Sequence, residues 1–286
     1  MNNTADVAIL GAGILGLAHA YAAASGGMKF IVFERSPRVP GASVWSFGMI
    51  WRIGQPHGKM HQLALRSRSR WVEVLDQENR NQVLARSGAV VADGLIGGFW
   101  SGMEPTVGSA DLAAVETGNE RWIVDRVIVC DGDDFETLYP ETFTASRLTC
   151  VMLQMLRTAP QPEGWQLGPA LAAGLTLRLY QASETAQGEL TLGDSHEYGR
   201  CVNIFNRDEV DDLILGYIRG FLNAPVMQIA QRWHGVYAKH LERPYLATTP
   251  APGVQIVTSP GSVGTTLAFG IAEETIEGMA TENMEH

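Results

Sequence analysis

Three glycines close to the start of the chain have the spacing of a phosphate-binding turn. The segment GAGILG places Gly11, Gly13 and Gly16 as G-x-G-x-x-G between an apolar stretch and an alanine-rich one. Glycines at these positions allow a tight turn, a close approach of phosphate to the backbone, and close packing of the following helix. Glu34 ends the next apolar stretch, KFIVFE, where an acid can accept hydrogen bonds from ribose hydroxyls. The pattern predicts a dinucleotide site and disfavours NADP, whose 2′-phosphate an acid repels.

A second group of chemically active side chains is crowded into RWHGVYAKH, residues 232–240. The segment is expected to be a strand, in which alternate residues face opposite sides. His234 alternates with apolar residues and could be a core histidine, while Tyr237 could face a substrate or pack on the sheet. Lys239 and His240 lie at the strand end, where solvent exposure is the expectation. The segment alone leaves open whether it forms the wall of an active site.

The elements around these residues predict an α/β fold. A strand at 6–10, a helix to about residue 25 and a strand at 29–34 form a β-α-β unit around the glycine turn. The interior alternates like antiparallel strands, and Asn206 with Glu209 has the pattern of a capping box before an amphipathic helix. The chain closes with a strand, a glycine loop and a long helix. This order predicts a nucleotide domain that is interrupted by a second, mainly antiparallel lobe.

Composition narrows the class of protein and its partners. The chain has 286 residues, of which 45% are hydrophobic and 18% charged, as in soluble globular proteins with room for two lobes. Its net charge of −10 argues against nucleic acid or an anionic membrane as a partner. Cys130, Cys150 and Cys201 lack any metal-binding spacing, which favours a reduced cytoplasmic protein without a metal site. The oligomeric state stays open.

Three stretches resemble the flavin contact regions of the glycine oxidase, sarcosine oxidase and D-amino-acid oxidase group of FAD enzymes. They are ERSPRVPGASVWSFGMIW from Glu34, VDRVIVCDG ending at Gly132, and GSVGTTLAFGIAEE from Gly261. The resemblance implies FAD as the cofactor and a Rossmann-like FAD-binding domain of the GR2 type. The contacts that it implies, besides the glycine turn and Glu34, are Arg35, Ala42, Ser43, Phe47, Gly48, Met49, Gly132, Gly261, Gly264, Thr265, Thr266 and Leu267.

A narrower resemblance is carried by SFGMIWRIGQPHGKMHQLALRSRSRW, DGDDFETLYPE, LQMLRTAPQP, LTLGDSHEYG and RWHGVYAKH, which are spread over nearly the whole chain. These stretches are similar to FAD-dependent oxidoreductases found with phosphonate catabolism. The similarity implies oxidation of 2-aminoethylphosphonate or its N-methyl form by hydride transfer to flavin N5, imine hydrolysis, and reoxidation by oxygen or another acceptor. The chain is shorter than these relatives in the substrate lobe. Asp131 stands where they carry a small neutral residue, close to the expected path of the pyrophosphate.

The domain assignment follows from this order of elements. Residues 1–85, 121–145 and 250–286 are assigned to a discontinuous FAD-binding domain, and residues 86–120 and 146–249 to the substrate lobe. The substrate-binding candidates are Tyr237, His234, Arg157, Arg178, His196 and Tyr198. Each has a structural alternative, such as core packing, a structural ion pair or an exposed sheet face.

The substrate class has more than one interpretation. Amino-acid oxidases of this group often carry an arginine shortly after a W-x-G element, and here Tyr237 follows Trp233 and Gly235. The loss of that arginine argues against an α-amino acid. The alternatives are a glycine- or sarcosine-type oxidase, or a catalytically silent FAD-binding scaffold with a trimmed substrate lobe.

Overall fold

The computed structural model describes residues 3–37, 41–46, 50, 55–76, 97–101, 106–108, 113–117, 120–167, 171–172, 181–185, 187–199, 203 and 205–282. The strands are β1 (Asn3–Leu10), β2 (Phe30–Glu34), β3 (Gly97–Ser101), β4 (Thr106–Gly108), β5 (Ala113–Thr117), β6 (Glu120–Val129), β7 (Leu148–Thr158), β8 (Leu171–Ala172), β9 (Gln181–Glu184), β10 (Leu190–Gly193), β11 (Glu197–Gly199), β12 (Ile229–His240), β13 (Leu246–Ala251) and β14 (Val254–Thr258). The helices are α1 (Ile14–Ser25), α2 (Ala42–Trp45), α3 (Lys59–Asp76), α4 (Pro140–Ala145), α5 (Asp208–Ile218) and α6 (Gly264–Glu282).

The chain forms two compact units. The first comprises residues 1–44, 48–148 and 240–286, and the second comprises residues 45–47 and 149–239. No helix among the residues described here is long and apolar enough to cross a membrane. Cys130 and Cys150 are buried thiols. The cytoplasmic location stays a prediction.

The first unit is built on a mainly parallel sheet with the strand order β13-β14-β6-β1-β2-β3. Strands β1, β2, β3, β6 and β14 are mutually parallel, and β5 pairs antiparallel with β6. Every residue of β2 is buried, which is the pattern of a parallel strand covered on both faces. The β-α-β unit and the Rossmann-like sheet predicted from the sequence are confirmed.

Helices α1, α3 and α6 cover one face of this sheet. Alanines of α1, including Ala18 and Ala23, are fully buried, so the helix backbone lies close to its neighbours. A Cβ atom added at Gly270 of α6 would lie 2.3 Å from the carbonyl oxygen of Leu63 in α3. The ring of Phe269 makes edge contacts with Trp71 and Tyr21 at centroid distances of 5.0 and 5.3 Å. This packing fixes the helices that follow the two glycine loops.

The second unit contains an antiparallel sheet with the strand order β11-β7-β10-β9-β8, and β12 pairs with β7. Helix α5 packs on one face of this sheet, where an apolar cluster includes Leu156, Leu190, Leu192, Ile214 and Ile218. The mainly antiparallel second lobe is therefore confirmed, and with it the predicted fold class.

Two details differ from the sequence-based expectations. Strands β3 and β5, within residues 86–120, pair with β2 and β6 of the first unit's sheet, although the sequence placed that segment in the substrate lobe. Such pairing is non-local, and the glycine-rich segment has no periodicity that could reveal it. The predicted Asn206 capping box was also wrong. The residue before α5 is Arg207, without a side-chain cap, and its amide is held by Gln154 Oε1 at 3.0 Å.

Candidate functional site

The glycine turn after β1 requires glycine at two of its three positions. Gly11 has a φ of +100°, which side-chain-bearing residues rarely adopt, and a Cβ there would lie 2.3 Å from the carbonyl oxygen of Cys130. A Cβ at Gly16 would lie 1.9 Å from the carbonyl oxygen of Gly11. At Gly13 the nearest atom would be the Ser43 hydroxyl at 3.3 Å. The turn is therefore open at Gly13, while Gly11 and Gly16 allow the loop and helix to approach each other closely.

Helix α1 begins directly after this turn and presents its N-terminus there. Gly13 is the N-cap residue, and the first turn has neither a side-chain cap nor an acidic residue. Ser43 Oγ accepts a hydrogen bond from the amide of Ile14 at 2.8 Å. The free amides and the helix dipole favour a phosphate anion at this position. Ser43, predicted to contact the cofactor, is thus seen to hold the backbone of the phosphate-binding turn.

Glu34 is buried at the end of β2 and binds two backbone amides. Its Oε2 atom accepts from Ala12 at 2.9 Å, and its Oε1 atom accepts from Ser36 at 3.0 Å. The carboxylate therefore shapes the glycine turn, a role that the sequence did not suggest. The predicted hydrogen bonds to ribose hydroxyls stay a prediction, because a carboxylate has further acceptor positions.

Arg35 is already paired with an acid in the structure. Its guanidinium contacts Asp134, whose carboxylate also accepts hydrogen bonds from the amides of Glu136 and Thr137 at 3.0 and 3.1 Å. These hydrogen bonds and Arg35 hold the pKa of Asp134 below its ordinary value, although burial acts in the opposite direction. Sequence reasoning missed Asp134, since the pairing joins residues 99 positions apart.

The two other predicted cofactor loops lie at the carboxyl ends of parallel strands. Gly132, with a φ of +69°, follows β6, and its carbonyl accepts a hydrogen bond from Thr258 at the end of β14 at 3.0 Å. Gly261, with a φ of +65°, opens a 3₁₀ turn that leads into α6 at Gly264. Because β6 and β14 are parallel, these loops share one edge of the sheet with the glycine turn.

The remaining predicted FAD contacts lie at the start of α6, in α2, or outside the described residues. Thr266 and Leu267 are buried, and the Thr265 carbonyl accepts a hydrogen bond from the Trp71 indole at 2.9 Å. Ala42 lies in the short helix α2 beside Ser43. Phe47, Gly48 and Met49 lie outside the described residues, as does Arg178 of the substrate candidates.

The sheet of the second unit separates the substrate candidates onto two faces. Arg232 of β12 contacts Asp211 of α5, so the side chain of Arg232 lies on the face of the sheet that the helix covers. His234 is two residues further along the strand and therefore lies on the same face. Gln154 Nε2 also donates to Asp211 at 2.6 Å. His234 Nε2 is buried without a hydrogen-bond partner among the described residues. His234 thus lies on the helix side of the sheet.

The opposite face, here called the Tyr237 face, carries Arg157, Trp233, Tyr237, Lys239 and Tyr198. The Arg157 guanidinium stacks over Trp233 at 5.1 Å, and Lys239 Nζ lies 3.3 Å from the Tyr198 hydroxyl and 5.1 Å from its ring centroid. Tyr198 pairs with Val151 of β7. Val151 and Arg157 are an even number of residues apart, so their side chains lie on the same face of that strand. The structure therefore brings three aromatic and two cationic side chains together on one face.

Trp45 lies against this Tyr237 face. The Trp45 carbonyl accepts a hydrogen bond from the Trp233 indole at 3.1 Å. A Cβ atom added at Gly235 would lie 3.7 Å from the Cβ of Trp45. Trp45 belongs to the stretch whose resemblance implies flavin contact. The contact places Trp45 itself, which belongs to the second unit, on the same side of the sheet as Trp233 and Tyr237.

Two buried titratable groups lie next to the Tyr237 face. The His196 ring meets Tyr237 edge-on at 6.3 Å, and its Nδ1 is 3.8 Å from Asp194 Oδ1. Burial, and then the charge of Lys239, lowers the pKa of His196 to about 4, while burial raises the pKa of Asp194 well above its usual range. The His196 ring is therefore uncharged at neutral pH, and burial disfavours the charged form of Asp194. Asp194 was not anticipated, because nothing in the sequence DSH indicates burial.

His240, at the end of β12, has a structural role in the first unit. Its Nδ1 atom accepts hydrogen bonds from the amides of Glu242 and Arg243, both at 3.0 Å. Burial lowers its pKa, which favours the neutral ring that these two bonds need. Within the part of the chain that the structure describes, no cluster of metal-ligating side chains occurs.

Comparison with known proteins agrees with this geometry. The family described as FAD dependent oxidoreductase matches residues 6–96, which include the glycine turn and Glu34. A comparison with curated proteins gives no match. Glycine oxidase from Geobacillus kaustophilus is similar in structure, with a TM-score of 0.75 and 14% identity over 96% of this chain and 94% of that chain. L-proline dehydrogenase from P. horikoshii has a TM-score of 0.75 and 13% identity over 99% of this chain and 95% of that chain. L-amino acid deaminase from Proteus vulgaris, with its specific insertion sequence deleted, has a TM-score of 0.69 and 15% identity over 96% of this chain and 89% of that chain.

The family match covers residues 6–96, the part of the chain that contains the glycine turn and Glu34. That match gives FAD as the cofactor and an FAD-dependent oxidoreductase as the class of protein. The fold is shared with glycine oxidase, L-proline dehydrogenase and L-amino acid deaminase. The glycine turn fits this cofactor, because Gly13 carries no side chain that would keep phosphate from the backbone and the first turn of α1 has no acidic residue.

Proposed function

We propose that the protein oxidatively deaminates a small primary or N-methyl amine that carries an anionic group, with 2-aminoethylphosphonate as the substrate. The observation that carries the proposal is Lys239 on the Tyr237 face. Its ammonium group contacts Tyr198, and no carboxylate of the described residues pairs with it. A cation beside aromatic side chains and without an acidic partner is suited to binding a substrate anion.

The protein's own side chains have binding and orienting roles in this reaction. Bound FAD would supply the hydride acceptor for the carbon next to the substrate nitrogen, and the imine so formed would hydrolyse in water. Lys239 and the Tyr198 hydroxyl would bind the phosphonate oxygens, and Tyr237 would provide an apolar wall with a polar tip. His196 is uncharged at neutral pH, so it adds no charge that competes for the substrate anion, and burial disfavours a charge on Asp194 that would compete for the amine.

Arg157 supports the choice of substrate class. A carboxylate of an α-amino acid is best held by an arginine whose fork of donors is free. Arg157 instead stacks on Trp233, contacts Gln231 Oε1 at 3.3 Å, and lies 3.7 Å from Glu189. Among the described residues of the Tyr237 face, the remaining cation is Lys239. A tetrahedral phosphonate, which does not need a planar fork, suits it better.

The runner-up is a glycine- or sarcosine-type oxidase. It is favoured by the likeness to glycine oxidase, whose fold this chain shares. The two candidates are separated by measuring peroxide formation with 2-aminoethylphosphonate, glycine and sarcosine, because they differ in the amine that is oxidised fastest. Oxygen or another acceptor restores the oxidised flavin, and an assay with an artificial dye beside oxygen distinguishes oxidase from dehydrogenase.

Anaerobic bleaching of the flavin absorbance tests the proposal directly. The purified, FAD-loaded protein is mixed without oxygen with 2-aminoethylphosphonate, its N-methyl form, glycine or sarcosine. Rapid bleaching by the aminophosphonates and slow bleaching by the amino acids is the expected result. Preferential bleaching by glycine or sarcosine would select the runner-up. Bound FAD that none of these amines bleaches would indicate a silent scaffold.

A further inference from the structure

Asp131 lies beside the phosphate-binding turn. It follows β6, whose residue Val129 is in register with Leu10, and the amide of Cys130 donates to the Leu10 carbonyl at 2.7 Å. A Cβ at Gly11 would lie 3.5 Å from the backbone nitrogen of Asp131. The backbone of Asp131 therefore adjoins the glycine turn at the carboxyl edge of the sheet.

At this edge, the loops that leave β1 and β6 lead to opposite sides of the sheet. From β1 the chain continues through β2 to β3 on one side, whereas β6 and β14 lie on the other. In open parallel sheets the crevice between two such strands is where dinucleotides cross the sheet. Asp131 follows one of the two strands that border the crevice, β6, and Gly11 follows the other, β1.

Among the described residues, the Asp131 carboxyl has no hydrogen-bond partner on another residue. Both carboxylate oxygens are buried. Arg35, the cation that acts on it, is engaged by Asp134. The other titratable groups on the elements around the turn are Glu34, Cys130, Asp133, Asp134 and His19. Among these, the carboxylates oppose a charge on Asp131, and His19 is held neutral by burial.

The balance of these effects keeps the carboxyl protonated near neutral pH. Burial, followed by the neighbouring acids, raises the pKa of Asp131 to about 8, while Arg35 and the residue's own amide act in the opposite direction. A buried carboxylate beside a pyrophosphate would add like-charge repulsion to its own desolvation. The neutral acid carries neither cost.

We propose that FAD binding is linked to protonation of Asp131, so that the protein holds FAD tightly while this carboxyl is neutral and releases it more readily when the carboxyl ionises. The inference rests on FAD being the cofactor of the glycine turn and is independent of the amine substrate. By linkage, a bound anion raises the pKa of the neighbouring acid further, so the dissociation constant for FAD rises with pH.

The test is FAD binding by the full-length apoprotein as a function of pH. The dissociation constant is measured by quenching of flavin fluorescence from about pH 6.5 to about pH 9.5 for the native protein and for Asp131→Asn. The native protein is expected to bind with constant affinity below pH 8 and to weaken by up to about tenfold per pH unit above it. Asp131→Asn, which is isosteric and always neutral, is expected to bind at the low-pH affinity throughout. The flavin's own titration is common to both proteins and cancels.

Two further measurements keep the test decisive. The variant Asp125→Asn removes an exposed carboxylate of β6 that does not act on Asp131, and it is expected to keep the native pH dependence. Titration calorimetry of the native protein at about pH 8.5, in buffers of different ionisation enthalpy, should show uptake of a proton on FAD binding. That measurement needs no variant, so a misfolded Asp131→Asn would not leave the question open.

Specific results would overturn the proposal. A native dissociation constant that does not change from about pH 7 to about pH 9.5 would do so, and so would the same pH slope in Asp131→Asn. Either result would leave amine oxidation by the FAD-loaded protein untouched. A protein that binds no FAD at any pH would instead overturn the cofactor assignment and this proposal together.

Discussion

The carboxylate of Glu34 accepts a hydrogen bond from the backbone amide of Ala12, with 2.9 Å between Oε2 and the nitrogen. Ala12 lies inside the glycine turn, so an acid 22 residues later in the chain holds the turn in shape. The second oxygen accepts the amide of Ser36 at 3.0 Å. Glu34 therefore couples the end of β2 to the loop between β1 and α1.

Replacing Glu34 with glutamine is expected to weaken FAD binding. The change removes the charge from two hydrogen bonds and turns one acceptor into a donor that faces an amide. A charge-assisted hydrogen bond of this kind contributes about 1.5–3 kcal/mol, so the dissociation constant for FAD should rise roughly 10- to 100-fold. Fluorescence titration measures it, and Glu163→Gln, at an exposed position, serves as the control. Equal affinity in both variants would contradict the role assigned to Glu34.

Replacing Gly16 with alanine is expected to disturb the same turn by steric overlap. The added Cβ would lie 1.9 Å from the Gly11 carbonyl oxygen, which belongs to the backbone and cannot rotate away. Overpacking of this kind costs about 1–3 kcal/mol, so both the melting temperature and FAD affinity should fall. Gly278→Ala is the matched control, because nothing lies within 4 Å of its Cβ position on α6. A Gly16→Ala protein with native affinity would show that the turn relaxes freely.

Asp211 is expected to be a main contributor to the stability of the second unit. Its buried side chain contacts Arg232 and accepts a hydrogen bond from Gln154 at 2.6 Å, which ties α5 to both β12 and β7. Asp211→Asn should lower the free energy of unfolding by about 1–3 kcal/mol. The adjacent Asp212 is exposed, so Asp212→Asn should have almost no effect. Urea denaturation followed by tryptophan fluorescence compares the two, and equal midpoints would be contrary to this expectation.

Lys239 is expected to determine affinity for the anionic end of the substrate. In Lys239→Gln the KM for 2-aminoethylphosphonate should rise roughly 10- to 100-fold, since a charge-assisted contact is lost, while kcat changes less. FAD affinity should stay native. Lys29→Gln, at an exposed lysine of the first unit, controls for the change in net charge. An unchanged KM would remove Lys239 from the substrate site and with it the observation on which the proposed substrate rests.

His19 is expected to make the protein less stable in acid. Its ring is fully buried, its Nδ1 lies 2.7 Å from the Leu15 carbonyl, and burial lowers its pKa from 6.5 to about 4. The unfolded chain therefore binds a proton in the window from pH 6.5 to 4 that the folded chain does not, and stability falls as pH falls through it. The full effect is about 3 kcal/mol.

A variant isolates this contribution of His19. Asp131, whose pKa is raised to about 8, contributes with the opposite sign, because its folded form binds the extra proton. The stability difference between the native protein and His19→Gln should therefore be compared at about pH 7 and about pH 4.5. The native advantage is expected to shrink at the lower pH. A constant difference would mean that the ring becomes protonated without unfolding the protein.

Local patterns were sufficient to predict the nucleotide-binding part of the fold. The spacing of Gly11, Gly13 and Gly16 between a strand and a helix led to the correct element order and cofactor class. The structure adds that Gly11 and Gly16 are sterically required, while Gly13 is not. It also adds that Glu34 and Ser43 hold the turn and helix through backbone amides. A sequence pattern gives residue type and spacing, and these hydrogen bonds join residues that only the sheet and loops bring together.

The sequence by itself determined the β-α-β start, the amphipathic helix α5 and the antiparallel character of the second lobe, because periods of two and 3.6 residues are local properties. Only the tertiary structure decided that Tyr237 and Lys239 share a face with Arg157, while His234 turns towards α5. It alone decided that both Asp131 carboxylate oxygens are buried without a hydrogen-bond partner on another described residue. Which face of a strand is covered, and how far a charge is from water, depend on elements that are distant in the chain, so alternation in one segment cannot reveal them.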